Sequence, residues 1–452
     1  MRRFHLAALA AAFVGFSTTL TLAAETPATT FRAGFGEVDI TPPNGTPRQG
    51  WNTKLVGEGV LDPIFARAAV FDRGGSDPGL PLAIIQLDVA LVNTGDTATI
   101  RAKVEADHKI PGNRVMVTAT HNHAGPAVIN EALPRSEAYI ATMVAGASKA
   151  VGKALAARQE SEMAVGVAFE LNVAYNRRVI MRDGSARTHG SFTDPNALAY
   201  EGPIDPEVAV LALRGADGKI VGALVNFACH PTHHGGDQAF SAGYPGVIAK
   251  ELKAKGIPVT LFLQGAAGNI AYDDPHRRPD KTKEQMGAIL ADDVIKALAK
   301  PKWIKPSTLS AASKTVDIPY RKATKADIEG TAKGTQRFGE AGYYERKIPG
   351  ILAMIAEKKT EPGEVQVFRL GDMAFASQPS ESFVEHGLMI KEQAWPVRTF
   401  VVCYANGMLG YLPHEAAFAR GGYECSFGPP SMMAPEAGRL LAEAAVELIK
   451  GK

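Results

Sequence analysis

Two histidines two residues apart, His121 and His123, stand in the segment Thr118-Ala119-Thr120-His121-Asn122-His123-Ala124-Gly125-Pro126. Neutral imidazole is the commonest protein ligand for zinc and a general base near neutral pH, so the pair points to metal or proton chemistry. A second segment, Asn226-Phe227-Ala228-Cys229-His230-Pro231-Thr232, sets another histidine behind another apolar run. The matching contexts of His121 and His230 make a metal centre the leading expectation, since a catalytic zinc takes about three or four protein ligands. Spacing leaves His123 with two roles. On an extended chain it returns to the side of His121 and is a further ligand. Otherwise it neighbours the centre, where it binds substrate or moves a proton.

Other polar residues are less telling alone. Glu381, in Pro379-Ser380-Glu381-Ser382, reads as an acid capping the helix that follows near Glu385-His386. Tyr411, in the glycine-rich run Asn406 to Pro413, reads as a packed aromatic. The turn Gln264-Gly265-Ala266-Ala267-Gly268-Asn269 lacks both a Walker lysine-serine pair and GxGxxG spacing. Backbone N–H groups at Gly268 and Asn269 suit an oxyanion or a polar substrate better than a phosphate. With no GxSxG elbow in the chain, a serine hydrolase of the α/β-hydrolase type is disfavoured. His233 and His234, with Asp237, read as a solvated loop near the mouth of the site.

These residues need strands to present them. Apolar runs predict strands over Gly34 to Ile40, Ala66 to Phe71, Leu82 to Leu87, Arg114 to Thr118, Val208 to Leu213, Ile220 to Phe227, Val259 to Gln264 and Phe400 to Tyr404. Amphipathic spacing predicts helices over Asp96 to Asp107, Glu137 to Ala157, Tyr244 to Lys255, Lys283 to Ala299, Ile348 to Glu357 and Pro435 to Lys450. Gln366 to Ala376 reads as a hairpin turning at Gly371-Asp372. The order implies an α/β protein, a mixed β-sheet covered by helices with its site at strand ends. Lys314 to about Lys359 is richer in charge and reads as a helical insertion, about residues 321–360, or a boundary between lobes.

Bulk properties narrow the class. The 452 residues carry 49 basic and 47 acidic side chains, a formal charge of +2, with no basic stripe for nucleic acid. The three cysteines, Cys229, Cys403 and Cys425, form no CxxC, which excludes a cysteine-type zinc site. Cys403 and Cys425 are candidates for a disulfide, and Cys229 reads as buried filler. A basic start, Met1-Arg2-Arg3, precedes an apolar stretch from Leu6 to Ala24, which predicts a signal peptide over residues 1–24 and a domain over 25–452. A periplasmic or extracellular protein is expected.

Taken in order, these motifs resemble the neutral/alkaline non-lysosomal ceramidase family, in its N-terminal catalytic domain. The resemblance runs from Gly34-Phe35-Gly36-Glu37-Val38-Asp39-Ile40-Thr41-Pro42 to about Pro429. It passes through Phe65-Ala66-Arg67-Ala68, Leu87-Asp88, the His121 block, Tyr175-Asn176-Arg177, Cys229-His230-Pro231-Thr232, Gln264 to Asn269, Pro379-Ser380-Glu381, Asn406 to Tyr411 and Tyr423-Glu424. It implies one zinc ion held by His121, His230, Glu381 and Tyr411. It implies that His123 contacts substrate or handles a proton, that Arg177 binds substrate, and that Tyr423 walls the site. Ala271 stands where the family carries a serine, and Asn269 where it carries an aspartate. The chain also ends before the family's C-terminal immunoglobulin-like domain. The expected activity is zinc-dependent hydrolysis of an N-acyl amide in sphingolipid metabolism, with His123, Gly268 and Asn269 as catalytic groups. Ala271 directs attention to other substrates on the same scaffold: an ester, a lactone or a sugar derivative. A non-catalytic metal-containing binding protein is the alternative from another class. Expected partners are a small-molecule or lipid-like substrate and a transient membrane surface, but no nucleic acid.

Overall fold

The computed structural model describes Met1, residues 30–74 and residues 80–451. The predicted signal peptide lies outside the described residues. Period-two alternation builds the molecule. In β2 (Phe65–Arg73), Ala66, Ala68 and Val70 point one way and Ala69 and Phe71 the other, and both faces are buried. The same split recurs in β3 (Leu82–Leu87), β4 (Val115–Ala119), β6 (Glu207–Gly215) and β7 (Ile220–Phe227). With β1 (Phe31–Asp39), β5 (Gln159–Phe169) and β8 (Thr260–Gln264) they form one eight-stranded sheet, ordered β8-β7-β6-β5-β1-β2-β3-β4. A second sheet follows, of β9 (Leu309–Pro319), β10 (Thr360–Leu370), β11 (Met373–Gln378) and β12 (Arg398–Cys403), in that order.

The two sheets pack face to face. Phe31, Phe71, Ile84, Leu211 and Leu263 of the first meet Phe368, Phe375 and Phe400 of the second in one buried cluster. Helices cover the outer faces: α1 (Thr94–His108), α2 (Glu137–Ala156), α3 (Gly243–Ala254) and α4 (Lys283–Ala297) on the large sheet, α7 (Val384–Gln393) and α8 (Ala437–Lys450) on the small one. The result is four layers, helices-sheet-sheet-helices. The α/β class with a mixed sheet is as expected from sequence, but the sheet is doubled. Two strands escape the apolar-run criterion. β5 opens Gln-Glu-Ser-Glu, and β9, at the edge of its sheet, alternates exposed polar residues. β9 pairs with β10 along its whole length, so α5 (Lys325–Glu329) and α6 (Tyr343–Glu357) sit between two paired strands.

Within these two sheets three strand pairs are parallel: β3 with β4, β7 with β8, and β11 with β12. Their carboxyl ends meet at one corner of the sandwich. Asn226 on β7 donates through Nδ2 to Leu263 O (2.8 Å) and across to Val401 O in the other sheet (2.9 Å). Asn406, just past β12, donates its N–H to Val117 O on β4 (2.8 Å) and accepts from Val117 N–H at Oδ1 (2.9 Å). Crevices outside the carboxyl ends of strands are where α/β sheets bind ligands. No described helix is long and apolar enough to cross a membrane.

Candidate metal centre

His121 follows β4 in the left-handed backbone region, φ +62°, a strained conformation for a side chain of its kind. Hydrogen bonds hold the bend: Thr120 N–H to Leu87 O (2.9 Å), Asn122 N–H to Val89 O (3.1 Å), and the Asn122 side chain to Ser241 O. The His121 ring stacks on Tyr404, with centroids 3.9 Å apart. His230 follows β7, its N–H on Ile270 O (3.2 Å). Glu381 and Tyr411 sit on two-residue strands, Glu381–Ser382 and Tyr411–Leu412, that pair in parallel beyond β11 and β12. This pairing turns Glu381 inward. It caps no helix, and α7 starts after Phe383 without a side-chain cap.

The four side chains converge. Glu381 Oε2 lies 3.1 Å from His121 Nε2 and 3.2 Å from His230 Nε2, and Tyr411 OH lies 3.4 Å from His230 Nε2. His123 Nε2 is 3.0 Å from His121 Nε2. Donor atoms about 2.1 Å from a tetrahedral zinc stand roughly 3.4 Å apart, so the spacing fits an ion. Proton positions sharpen this. His121 Nδ1 is 2.6 Å from Ala90 O, and His230 Nδ1 is 2.6 Å from Ala267 O. A carbonyl only accepts, so each Nδ1 carries the hydrogen and each neutral Nε2 presents a lone pair. Two nitrogen lone pairs then face one carboxylate oxygen with no proton between them. Burial holds His230 down at about 4, against protonation. A cation satisfies this donor set, and His121, His123 and His230 form a buried group that could hold one.

His123 differs from its neighbours. Its Nδ1 is buried without a hydrogen-bond partner, while its Nε2 stands 3.0 Å from the His121 Nε2 lone pair. Trp51 packs edge-on to its ring at 5.9 Å. Behind Tyr411 lies a buried ionic chain. Arg177 donates through Nη2 to Tyr411 OH (3.2 Å) and Gly268 O (2.7 Å), and through Nε to Glu424 (2.9 Å). Glu424 also takes Arg178 (2.7 Å) and Thr188. Burial would raise the Glu424 carboxyl, but Arg177 and Arg178 bring it to about 2. Arg177 therefore secures the tyrosine oxygen.

Some expectations need correction. The Gly268 N–H and the Asn269 side chain are already engaged within the protein. Gly268 N–H bonds Ser382 O (2.8 Å), and the Asn269 side chain accepts Val384 N–H (2.9 Å) and donates to Glu385 (3.0 Å). Ala271 is fully buried and pairs with Tyr175, on a two-residue strand whose other member, Ile270, anchors His230. Cys229, Cys403 and Cys425 are free, buried thiols, not a disulfide. His233 and His234 stay apart from the centre, bonding Lys281 O (3.0 Å) and Asp237 (2.7 Å), and His233 is buried.

A cleft of about 280 Å³ opens onto His121, His123, Glu381, Tyr411 and Tyr423. Its lining includes apolar side chains, Leu91, Ile129, Met408, Leu409 and Met432, and polar ones, Gln49, Asn52, Glu131 and Lys347. Sequence spacing gave no sign of Glu131 or Asn52. A charged residue just after the Gly-Pro turn was the available signal for Glu131. Lys347 and Tyr343 come from α6, so the segment between β9 and β10 supplies part of the wall.

Comparisons agree with this architecture. Residues 31–243 match the family model described as neutral/alkaline non-lysosomal ceramidase, N-terminal. A neutral ceramidase of Pseudomonas aeruginosa is 26% identical, over 87% of this chain and 68% of that protein. A crystal structure of neutral ceramidase from Pseudomonas aeruginosa superposes with a TM-score of 0.72 at 21% identity, covering 94% of this chain and 75% of that one. A ceramidase complexed with C2 superposes at 0.73 and 20% identity, covering 94% and 76%. Both structural likenesses concern the fold.

Proposed function

We propose that this chain, a member of the neutral/alkaline non-lysosomal ceramidase family, is a zinc-dependent hydrolase of N-acyl amides of the ceramide type. The observation that carries the reading is the set of lone pairs from His121, His230 and Glu381 that face one another without a proton. These three, with Tyr411, would hold one zinc ion. A bound zinc ion supplies a polarised carbonyl and water acidified toward a pKa of about 7. His123, with an uncommitted Nδ1, receives the proton of the attacking water and returns it to the departing amine nitrogen. Arg177 keeps the Tyr411 oxygen turned toward His230, and Glu424 keeps Arg177 in place. The apolar lining excludes water and receives the acyl chain, while Asn52 and Tyr423, bonded at 3.2 Å, face the polar part.

The reading places the chemistry on the metal ligands and His123, with no side-chain hydroxyl required at Ala271. It favours a ceramide-type amide over the ester, lactone or sugar-derived alternatives. The name of the Pseudomonas relative supports the same choice. We further propose export after cleavage near Ala24, which N-terminal sequencing of the secreted protein checks. The test of function is hydrolysis of a panel of N-acyl lipids, N-acyl amino acids and matched esters, before and after chelation. Amide cleavage lost on chelation and restored by zinc is the expected result. Full activity without metal would refute it.

A further inference from the structure

Glu131 is the one ionised-type side chain of the polar lining without a cationic neighbour. Its Oε2 accepts the Gly50 N–H at 3.1 Å. Among the described residues no lysine, arginine or histidine nitrogen lies within ion-pair distance of it; Lys347 acts on it only through a longer-range attraction. Backbone N–H groups of Gly50 and Asn52 hold this part-buried carboxylate, but no cation balances its charge, which leaves it able to accept a further donor from the cleft. Its position relative to the centre is fixed by the backbone. Gly50 adopts φ +129°, and a Cβ on it would stand 2.7 Å from His123 Nδ1. The loop that holds Glu131 is thus pressed against His123. Gln49 ties the same loop to Val128 N–H (3.0 Å), and Asn52 ties it to Tyr423 OH (3.2 Å). Glu131 and His123 both line the cleft.

We propose that Glu131 is a specificity-determining residue: it accepts a hydrogen bond from a hydroxyl or ammonium group carried on the amine portion of the substrate, close to the scissile amide. The proposal rests on the amide-hydrolase reading for its substrate class, but binding tests it independently of turnover. A site built to pair a donor rejects an analogue that lacks it, because its own buried group is then left unpaired. A hydrogen bond to a charged group predicts a preference of roughly tenfold or more.

The probes are N-octanoyl ethanolamine, its O-methyl ether and N-octanoyl ethylenediamine, titrated calorimetrically into the zinc-loaded wild type, Glu131→Ala and Glu131→Gln. The wild type binds at least one donor-bearing probe roughly tenfold or more tighter than the ether. In Glu131→Ala the preference falls to within about twofold, while affinity for the ether holds. Glu131→Gln keeps an acceptor for Gly50 and so guards against misfolding. It abolishes a preference for the ammonium probe and weakens one for the hydroxyl probe, which tells the two donors apart. Equal binding of all three probes by the wild type, or a preference unchanged in both variants, overturns the assignment. Absence of hydrolysis with the binding preference intact overturns the amidase reading alone.

Discussion

His121 and His123 are two residues apart, yet their proton chemistry differs. His121 gives its Nδ1 hydrogen to Ala90 O, and His123 Nδ1 has no partner. On the proposed reading His121 is the ligand and His123 the proton carrier, where spacing leaves both roles open. His123→Ala should therefore retain the metal and lose roughly 10²–10⁴-fold in kcat, the usual contribution of a general acid–base group. Steady-state kinetics on the zinc-loaded variant check this, and a near-normal kcat would remove His123 from the mechanism. Sequence made His121 and His230 legible because each closes an apolar strand. Glu381 and Tyr411 were legible only through family resemblance, since the strands that aim them are two residues long and carry no periodic signal.

At the level of elements, alternation did most of the work. It places Phe375 of β11 between the sheets, edge-on to Phe400 at 5.2 Å, while Ala374 and Ala376 face the helical side. Phe375→Ala should cost about 3–5 kcal/mol, read by urea unfolding, because the interface between two sheets collapses poorly around a cavity. A loss under about 1 kcal/mol would mean that the sheets are not packed through this residue. Helix α7 carries a second test. His386 is buried against Gly438 of α8, where an added Cβ would meet its ring at 2.2 Å, and its N–H side faces Pro413 O. Burial lowers His386 to about 4 from the ordinary 6.5. Between those values the unfolded chain binds the extra proton, so stability rises with pH across that window. The contribution is complete above pH 6.5 and fades as pH falls toward 4. Unfolding measured at several pH values should show a shallower acid slope in His386→Gln, and an unchanged slope would contradict the neutral buried imidazole. Strands β5 and β9 escaped sequence analysis for a shared reason: half-polar strands look like loops until neighbours supply the burial.

At the scale of the whole molecule, the two sheets matter because their parallel pairs end at one corner. β4 and β7 deliver His121 and His230 from the large sheet, and β11 and β12 lead to Glu381 and Tyr411 from the small one. The centre thus bridges both sheets, and its ligands come from four distant parts of the chain. The α/β class was legible in the order of apolar and amphipathic runs, but the doubling of the sheet was not. No local pattern says which buried face meets which. The most direct test is the zinc content of purified wild type, His123→Ala and Glu381→Ala after extensive dialysis, by elemental mass spectrometry. The account predicts about one zinc per chain in the wild type and in His123→Ala, and its loss in Glu381→Ala. Metal retained by Glu381→Ala and lost from His123→Ala would contradict it, leaving a three-histidine centre in its place.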